Sequence, residues 1–138
     1  MYTKIFTTLP QEAKNIRIEV FMKEQGFENE FDDIDTISHH IVVFAEGKSI
    51  GTCRFFKENN HYTIGRVAVL KEYRNQHIGN LLLESAENEI KKLNGDLIVV
   101  HAQVRVSPFY EKQGYILFGQ IDDDEGVPHM WMKKKIQY

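Results

Sequence analysis

Residues 65–83 constrain the fold more than any other part of this sequence. The stretch begins with the β-branched apolar run Val67-Ala68-Val69, continues through polar residues to Gly79, and ends in an amphipathic pattern. This order is typical of a strand, a turn and a helix. The first N–H groups of a helix have no partner within the helix, and the helix dipole adds partial positive charge there. The turn therefore fits an anion such as phosphate, and Arg74 adds a charge before it. A plain connection with a packing glycine is an equal alternative.

The rest of the chain alternates between strand and helix patterns. The predicted strands cover residues 3–7, 41–46, 50–57, 61–70, 96–102, 115–121 and 129–136. The predicted helices cover residues 10–23, 79–93 and 107–112, and the first begins with a capping box at Thr8. An antiparallel meander, a strand-helix-strand unit and a closing hairpin together predict an α/β fold, a mixed sheet with helices packed on it.

Two acidic segments interrupt these patterns. Residues 28–35 mix acids with Phe31 and Ile34, which predicts a solvated loop pinned by these two side chains. Residues 122–126 form a second acidic loop, between the last two strands. Neither segment has the spacing of a calcium-binding EF-hand loop.

Composition excludes several classes of protein. With 138 residues, 42% of them apolar, residues 1–138 are expected to form a single domain. The net charge of −3 predicts no affinity for nucleic acid or anionic membranes. No apolar run spans a bilayer and no signal-peptide pattern is present, so the expected location is cytoplasmic. Cys53, the only cysteine, is expected in the core, and the six histidines lack the spacing of a metal site.

Three segments carry a resemblance to the GCN5-related N-acetyltransferase (GNAT) superfamily. They are Val67-Ala68-Val69, then Arg74-Asn75-Gln76-His77-Ile78-Gly79, and then Phe109-Tyr110-Glu111 about thirty residues later. The family's cofactor motif is written Arg/Gln-x-x-Gly-x-Gly/Ala, and His77 stands here at the place of the middle glycine. Further segments, among them Glu24-Gln25-Gly26 and Gly126-Val127-Pro128-His129, are similar to the ElaA/YjcF-type branch. The resemblance covers nearly the whole chain.

The resemblance implies a GNAT-type mixed, mostly antiparallel central sheet flanked by helices, with a splayed parallel strand pair. Acetyl-CoA would lie in the splay, with its pantetheine arm along the backbone of Val67 and Val69 and its pyrophosphate on the loop N–H groups. CoA would be the product. The implied cofactor-binding residues are Val67, Ala68, Val69, Arg74, Asn75, Gln76, His77, Ile78, Gly79, Asn80, Gln103, Phe109 and Tyr110.

The implied reaction is transfer of an acetyl group to a primary amine of a small molecule or a lysine side chain. Tyr110 matches the tyrosine that protonates the departing thiolate in many family members. The amine must also lose a proton to a base. The strand glutamate that some members use is replaced here by Thr63. The remaining candidates for the base are His101, His129 and Glu24, and a water chain ending at any of them is equally consistent with the sequence.

A second hypothesis is a binding module that keeps the acyl-CoA cleft as a sensor or interaction surface without turnover. The missing strand glutamate and His77 keep this hypothesis open. The family places both acidic segments around the acceptor cleft, which predicts a preference for cationic amines. The sequence leaves open the acceptor, the general base, the effect of His77 on cofactor binding and the oligomeric state, for which a homodimer is one alternative.

Overall fold

The computed structural model describes residues 1–138 and contains one seven-stranded sheet. The strands are β1 (Tyr2–Phe6), β2 (His39–Ala45), β3 (Lys48–Glu58), β4 (His61–Val69), β5 (Leu97–Gln103), β6 (Ile116–Asp124) and β7 (Val127–Lys135). The helices are α1 (Gln11–Arg17), which continues as a π-helical segment (Ile18–Glu24), α2 (Ile78–Lys92) and α3 (Ser107–Lys112). Short 3₁₀ turns lie at Asp33–Ile37, Lys71–Tyr73 and Val104–Val106. None of these helices is long and apolar enough to cross a bilayer.

The strand order is β1-β2-β3-β4-β5-β7-β6, and only β4 and β5 run parallel. This confirms the predicted mixed, mostly antiparallel sheet. The parallel pairing covers only Tyr62 with Ile98, Thr63 with Val99 and Ile64 with Val100. Beyond that point the two strands separate, as the predicted splay requires.

A β-bulge in β4 lies where the separation begins. The register between β3 and β4 shifts between Thr52 and Arg54, so that Arg66 and Val67 share one partner position. Arg66 has a φ of 52°, in the left-handed region. A bulge bends the strand that contains it and increases its twist. The bulge therefore turns the end of β4 away from β5.

Helices cover both faces of the sheet. Helix α2 buries the apolar stripe that its 3.6-residue period predicts, formed by Ile78, Leu82, Leu83, Ala86 and Ile90. Each fully buried Leu or Ile side chain of this kind contributes about 1.5–3 kcal/mol. On the opposite face α1 and its π-helical continuation bury Ala13, Ile16 and Val20. Cys53 is buried in the core as predicted, and burial raises its pKa to about 12.

Two predicted helix and strand ends are wrong. The N-cap of α1 is Pro10, with no side-chain cap, so the capping box at Thr8 does not form and Pro10 precedes the first helical turn. Strand β6 continues through Asp124 because its acidic end still pairs with β7. The predicted acidic loop is therefore only the tight turn at Glu125 and Gly126, both with positive φ.

The prediction of a solvated loop at residues 28–35 is also wrong. Three carboxylates of this segment form ion pairs with three arginines. The members of this cluster are Arg17, Arg54, Arg66, Glu30, Asp32 and Asp35. Arg17, only 1% exposed, donates to Glu30 and Asp35 at 2.8 Å each. Burial acts against the charged form of Asp35, but its bonds to Arg17 and Arg54 lower its pKa to about 2. The cluster balances its own charge and fixes the segment against the sheet.

Candidate functional site

A cavity of about 630 Å³ opens where β4 and β5 separate, a volume typical of small-molecule sites. Residues of the π-helical segment, β4, the loop before α2, the end of β5, α3 and the turn between β6 and β7 line it. The bulge of β4 and the short pairing with β5 create this space.

At one end of the cavity a row of backbone N–H groups has no partner within the protein. The row covers residues 75–80, six groups in succession, and the first bond of α2 runs from the Leu81 N–H to the His77 carbonyl at 3.1 Å. Asn75 and His77 have left-handed φ values of 64° and 62°, separated by Gln76. Alternating left- and right-handed residues direct successive N–H groups into one concavity. Together with the dipole of the 15-residue α2, this concavity has the features that favour an anion.

His77 keeps the left-handed turn that the family's glycine would provide. As the N-cap of α2 it adopts φ 62° and ψ 23°. This conformation costs a residue with a side chain about 1–2 kcal/mol. The His77 N–H remains in the unpaired row, so the residue that departs from the motif still offers its N–H at the helix start, at the cost of backbone strain.

Arg74 does not present a free charge to this concavity. Its Nε donates to the Val69 carbonyl at 3.0 Å, and its two terminal nitrogens donate to the Glu24 carboxylate at 2.6 and 2.7 Å. The bond to Arg74 lowers the pKa of Glu24, whose side chain is outside the cavity lining. A carboxylate with a lowered pKa is a poor proton acceptor. These contacts argue against Glu24 as the base, and they leave the backbone N–H groups, rather than the Arg74 side chain, free to meet an anion.

The open edge of β4 offers backbone groups to the cavity. The Leu70 N–H bonds to the Ile50 carbonyl on β3 at 2.9 Å. Because successive residues of a strand direct their peptide groups to opposite sides, those of Val69 are directed toward the cavity. The Val69 carbonyl accepts from Arg74, which leaves its N–H for a ligand. Val67 and Ala68 also line the cavity.

Tyr110 and Phe109 of α3 also line the cavity. Tyr110 is 7% exposed, and its hydroxyl has no hydrogen-bond partner in the protein. Burial raises the pKa of Tyr110, which keeps its hydroxyl protonated at neutral pH. The Phe109 ring lies against Gly79, where an added Cβ would stand 3.1 Å from the ring. Gly79 therefore also serves the packing of α3 on α2, the alternative that the sequence left open.

Two histidines lie together at the other end of the cavity. The His101 Nε2 is 2.7 Å from an Asp122 carboxylate oxygen, and the His101 ring stacks on Trp131 at 4.3 Å. The His129 ring is 4.8 Å from that of His101. The His129 Nδ1 lies 2.8 Å from the Val127 carbonyl. A carbonyl can only accept, so Nδ1 carries the proton of the neutral ring and Nε2 is left as an acceptor. Sequence reasoning missed Asp122 because it placed that residue in a loop.

Side-chain amides and a carboxylate join several of the elements that line the cavity. Gln103 donates to the Gln25 side chain at 2.8 Å and accepts from Arg105 at 2.9 Å, so both ends of its amide have partners. The Glu125 carboxylate accepts from the N–H groups of Glu28 and Asn29, at 2.9 and 3.3 Å. The turn between β6 and β7 is thereby tied to the segment after α1, across the cavity.

Comparison with known proteins places this geometry in context. The chain matches the family model described as an acetyltransferase (GNAT) domain over residues 7–136. It is 32% identical to the Bacillus subtilis (strain 168) protein named uncharacterized N-acetyltransferase YjcF, over 90% of this chain and 91% of that one. The crystal structure of Escherichia coli ElaA has a TM-score of 0.87 at 21% identity, covering 97% of this chain and 99% of ElaA. An aminoglycoside 6′-N-acetyltransferase complexed with coenzyme A has a TM-score of 0.78 at 14% identity, with 98% and 97% covered.

Proposed function

The chain belongs to the GNAT family of acyltransferases, and from that premise we propose that it transfers an acetyl group from acetyl-CoA to a primary amine. The amine would belong to a small molecule or a lysine side chain. The predicted resemblance to the superfamily and to its ElaA/YjcF-type branch is confirmed. One observation carries the proposal: the unpaired N–H row, the open edge of β4 and Tyr110 all border one cavity.

The residues present fit acetyl-CoA. The N–H row of residues 75–80 would hold the pyrophosphate, whose charge suits a helix start. The Val69 N–H, with the backbone of Val67 beside it, would bind the pantetheine arm in the splay. Phe109 and Gln103 line the same cavity. The aminoglycoside acetyltransferase of the same fold was solved with coenzyme A, which supports this assignment. When bound, acetyl-CoA supplies the activated acetyl group.

Two side chains would move the protons of the reaction. The His129 Nε2 takes the proton that the amine must lose before its nitrogen can attack. Tyr110 gives its hydroxyl proton to the sulfur as the C–S bond breaks. The new bond is the amide N–C bond. The nitrogen loses its second proton to solvent as the amide forms, a proton from solvent restores the Tyr110 hydroxyl, and His129 returns its proton to solvent, so that one proton is released for each ammonium consumed.

Replacement of Tyr110 by phenylalanine tests this assignment. The variant keeps the ring, so packing and CoA binding should persist, while kcat falls by about 10²- to 10⁴-fold. Turnover would be followed as thiol release, and CoA binding as a shift in melting temperature. Tyr115→Phe is the matched control, because the Tyr115 hydroxyl donates to Glu87 at 2.7 Å and is absent from the cavity. Normal turnover by Tyr110→Phe would refute the general acid, and loss of CoA binding would make Tyr110 structural.

The acceptor would be a cationic amine. Three of the five carboxylates of residues 28–35 are paired with arginines, and the other two, Glu28 and Asp33, do not line the cavity. The unpaired negative charge at the cavity therefore comes from Asp124 and Glu125. Amines with a second positive charge should react faster than neutral ones at low salt, and added salt should weaken the difference. Equal values of kcat/KM at low salt would contradict this preference.

A second candidate function is an acyl-CoA-binding module without turnover. Thr63 favours it, because the position where some family members carry a glutamate has here a buried hydroxyl without a hydrogen-bond partner. Thiol release from acetyl-CoA with a library of amines separates the two functions. A CoA-induced melting shift without thiol release from any amine would favour the module.

A further inference from the structure

We propose that Asp122 is a positioning residue of the reaction, and that it acts through His101 to make the base a coupled Asp122–His101–His129 unit. This inference rests on the proposed function. The inference goes beyond the proposed function because it gives a role to two side chains, Asp122 and His101, that need not touch the acceptor.

The three side chains come from three adjacent strands. Asp122 of β6 is directly opposite His129 of β7, and His101 of β5 is directly opposite Trp131 of β7. Residues opposite one another in an antiparallel pair share a face of the sheet, and His129 and Trp131, two apart on β7, share that face as well. The register of the sheet therefore holds the unit together without any loop.

Each contact in the unit fixes the orientation of the next side chain. Trp131 supports the His101 ring by stacking at 4.3 Å, and Asp122 holds its Nε2 at 2.7 Å. The His101 ring in turn lies 4.8 Å from that of His129. Phe27 meets the His129 ring edge to face, at 6.5 Å. The orientation of the His129 ring is thus set from both sides and by the Val127 carbonyl.

The charge of Asp122 makes this arrangement functional. The ring centroids of His101 and His129 lie 4.8 Å apart, so a charge on one ring acts on the other through space. A proton taken up by His129 adds positive charge beside His101, and the Asp122 carboxylate is the only negative group bonded to the pair. The bond from His101 also lowers the pKa of Asp122, so the carboxylate stays ionised. Asp122 itself lies outside the cavity lining, whose charged side chains are Glu30, Arg66, Arg74, Arg105, Asp124 and Glu125.

Asp122→Asn removes the charge and keeps the side-chain shape. Loss of a negative charge disfavours the protonated pair, so the acidic limb of the pH profile of kcat/KM should move to lower pH. Because the Asp122 side chain is about half exposed, we expect a shift of about 0.5–1 pH unit. A merely structural role would lower the rate equally at every pH. Asp96→Asn, at an exposed residue outside the cavity, is the control of equal charge and should leave the limb in place.

NMR titration of the His101 and His129 ring protons provides a readout independent of turnover. Their titration midpoints should move to lower pH in Asp122→Asn and should not move in Asp96→Asn. Unchanged midpoints would overturn the coupling, and shifted midpoints with an unshifted rate profile would overturn its role in the reaction. Absence of thiol release by the wild type would instead refute the proposed function, and with it the role of Asp122. An unchanged rate and pH profile in His129→Ala would refute the base itself.

Discussion

Replacement of His77 by glycine should stabilise the protein, although glycine in a loop usually destabilises it. His77 has φ 62° and ψ 23°, a conformation that costs a residue with a side chain about 1–2 kcal/mol. Glycine adopts it without that cost, but its greater freedom in the unfolded chain costs about 0.4–1 kcal/mol. The net expectation for His77→Gly is a gain of about 1 kcal/mol in the free energy of unfolding.

Gln76→Gly is a matched control in the same loop. Gln76 has a negative φ, so this replacement carries the entropic cost without any relief of strain, and should lose about 0.4–1 kcal/mol. The two variants should therefore differ by about 1–2 kcal/mol. At about 2.1 cal/mol/K of unfolding entropy per residue, 1 kcal/mol corresponds to about 3.5 °C in a chain of 138 residues. His77→Gly should melt about 3–7 °C above Gln76→Gly.

Thermal unfolding followed by circular dichroism, with and without CoA, measures both quantities. Both variants keep all the N–H groups of residues 75–80, so CoA should still bind them. At a hundredfold excess over Kd it should add about 2.7 kcal/mol to the free energy of unfolding. Equal melting temperatures of the two variants, or a lower one for His77→Gly, would show that the left-handed histidine is not strained. Loss of the CoA-induced shift in His77→Gly alone would show that the imidazole itself binds the cofactor.

Two further predictions concern stability. Gly95→Ala should lower the free energy of unfolding by about 1–3 kcal/mol in urea, because the added Cβ would lie 2.5 Å from Ile90 and 2.8 Å from Tyr62. Gly65→Ala is the control: a Cβ there would have no atom within 4 Å, so stability should change by less than about 1 kcal/mol. Equal effects of the two replacements would contradict the packing argument. The pKa of Asp35 is about 2 in the folded state against an ordinary value of about 3.9, which stabilises the fold by about 2–3 kcal/mol above pH 4. This stabilisation is lost as the pH falls through about 2. The free energy of unfolding of the wild type should therefore exceed that of Asp35→Asn by the largest amount near pH 7, and about half of this contribution should be lost by pH 3. A difference that does not depend on pH would refute the ion-pair account.

The elements that the sequence predicted well are those whose pattern is local. The predicted and observed bounds of α3 agree at Ser107 and Lys112, and the buried stripe of α2 follows its period. The unpaired N–H row could be predicted in the same way, because a strand, a turn and a helix start in succession already determine where N–H groups remain unpaired. The splay of β4 from β5 followed from the family resemblance, since no local pattern marks a parallel pair that ends early.

The predictions that failed depend on partners far away in the chain. Arg17 meets Asp35 across 18 residues, and Arg74 meets Glu24 across 50. An acidic segment has the same composition whether it is solvated or paired, so the sequence cannot distinguish the two. The contact of His101 with Asp122, across 21 residues, depends on the register of β5, β7 and β6, which the pattern of any single strand does not contain.

The separation of β4 from β5 has a consequence for the rates of amide hydrogen exchange. Amides in the middle strands of a sheet normally exchange only through large-scale unfolding, whereas those at an outer edge exchange through local fluctuation. Because the pairing ends at Ile64 and Val100, the Val69 amide lies in a central strand and yet faces no neighbouring strand. It should exchange as fast as an edge amide, while the Thr63 amide, a few residues earlier in the paired part of β4, exchanges slowly. A part of this sheet as weakly protected as its edges then lies at its centre, where an extended ligand would restore the missing strand contacts.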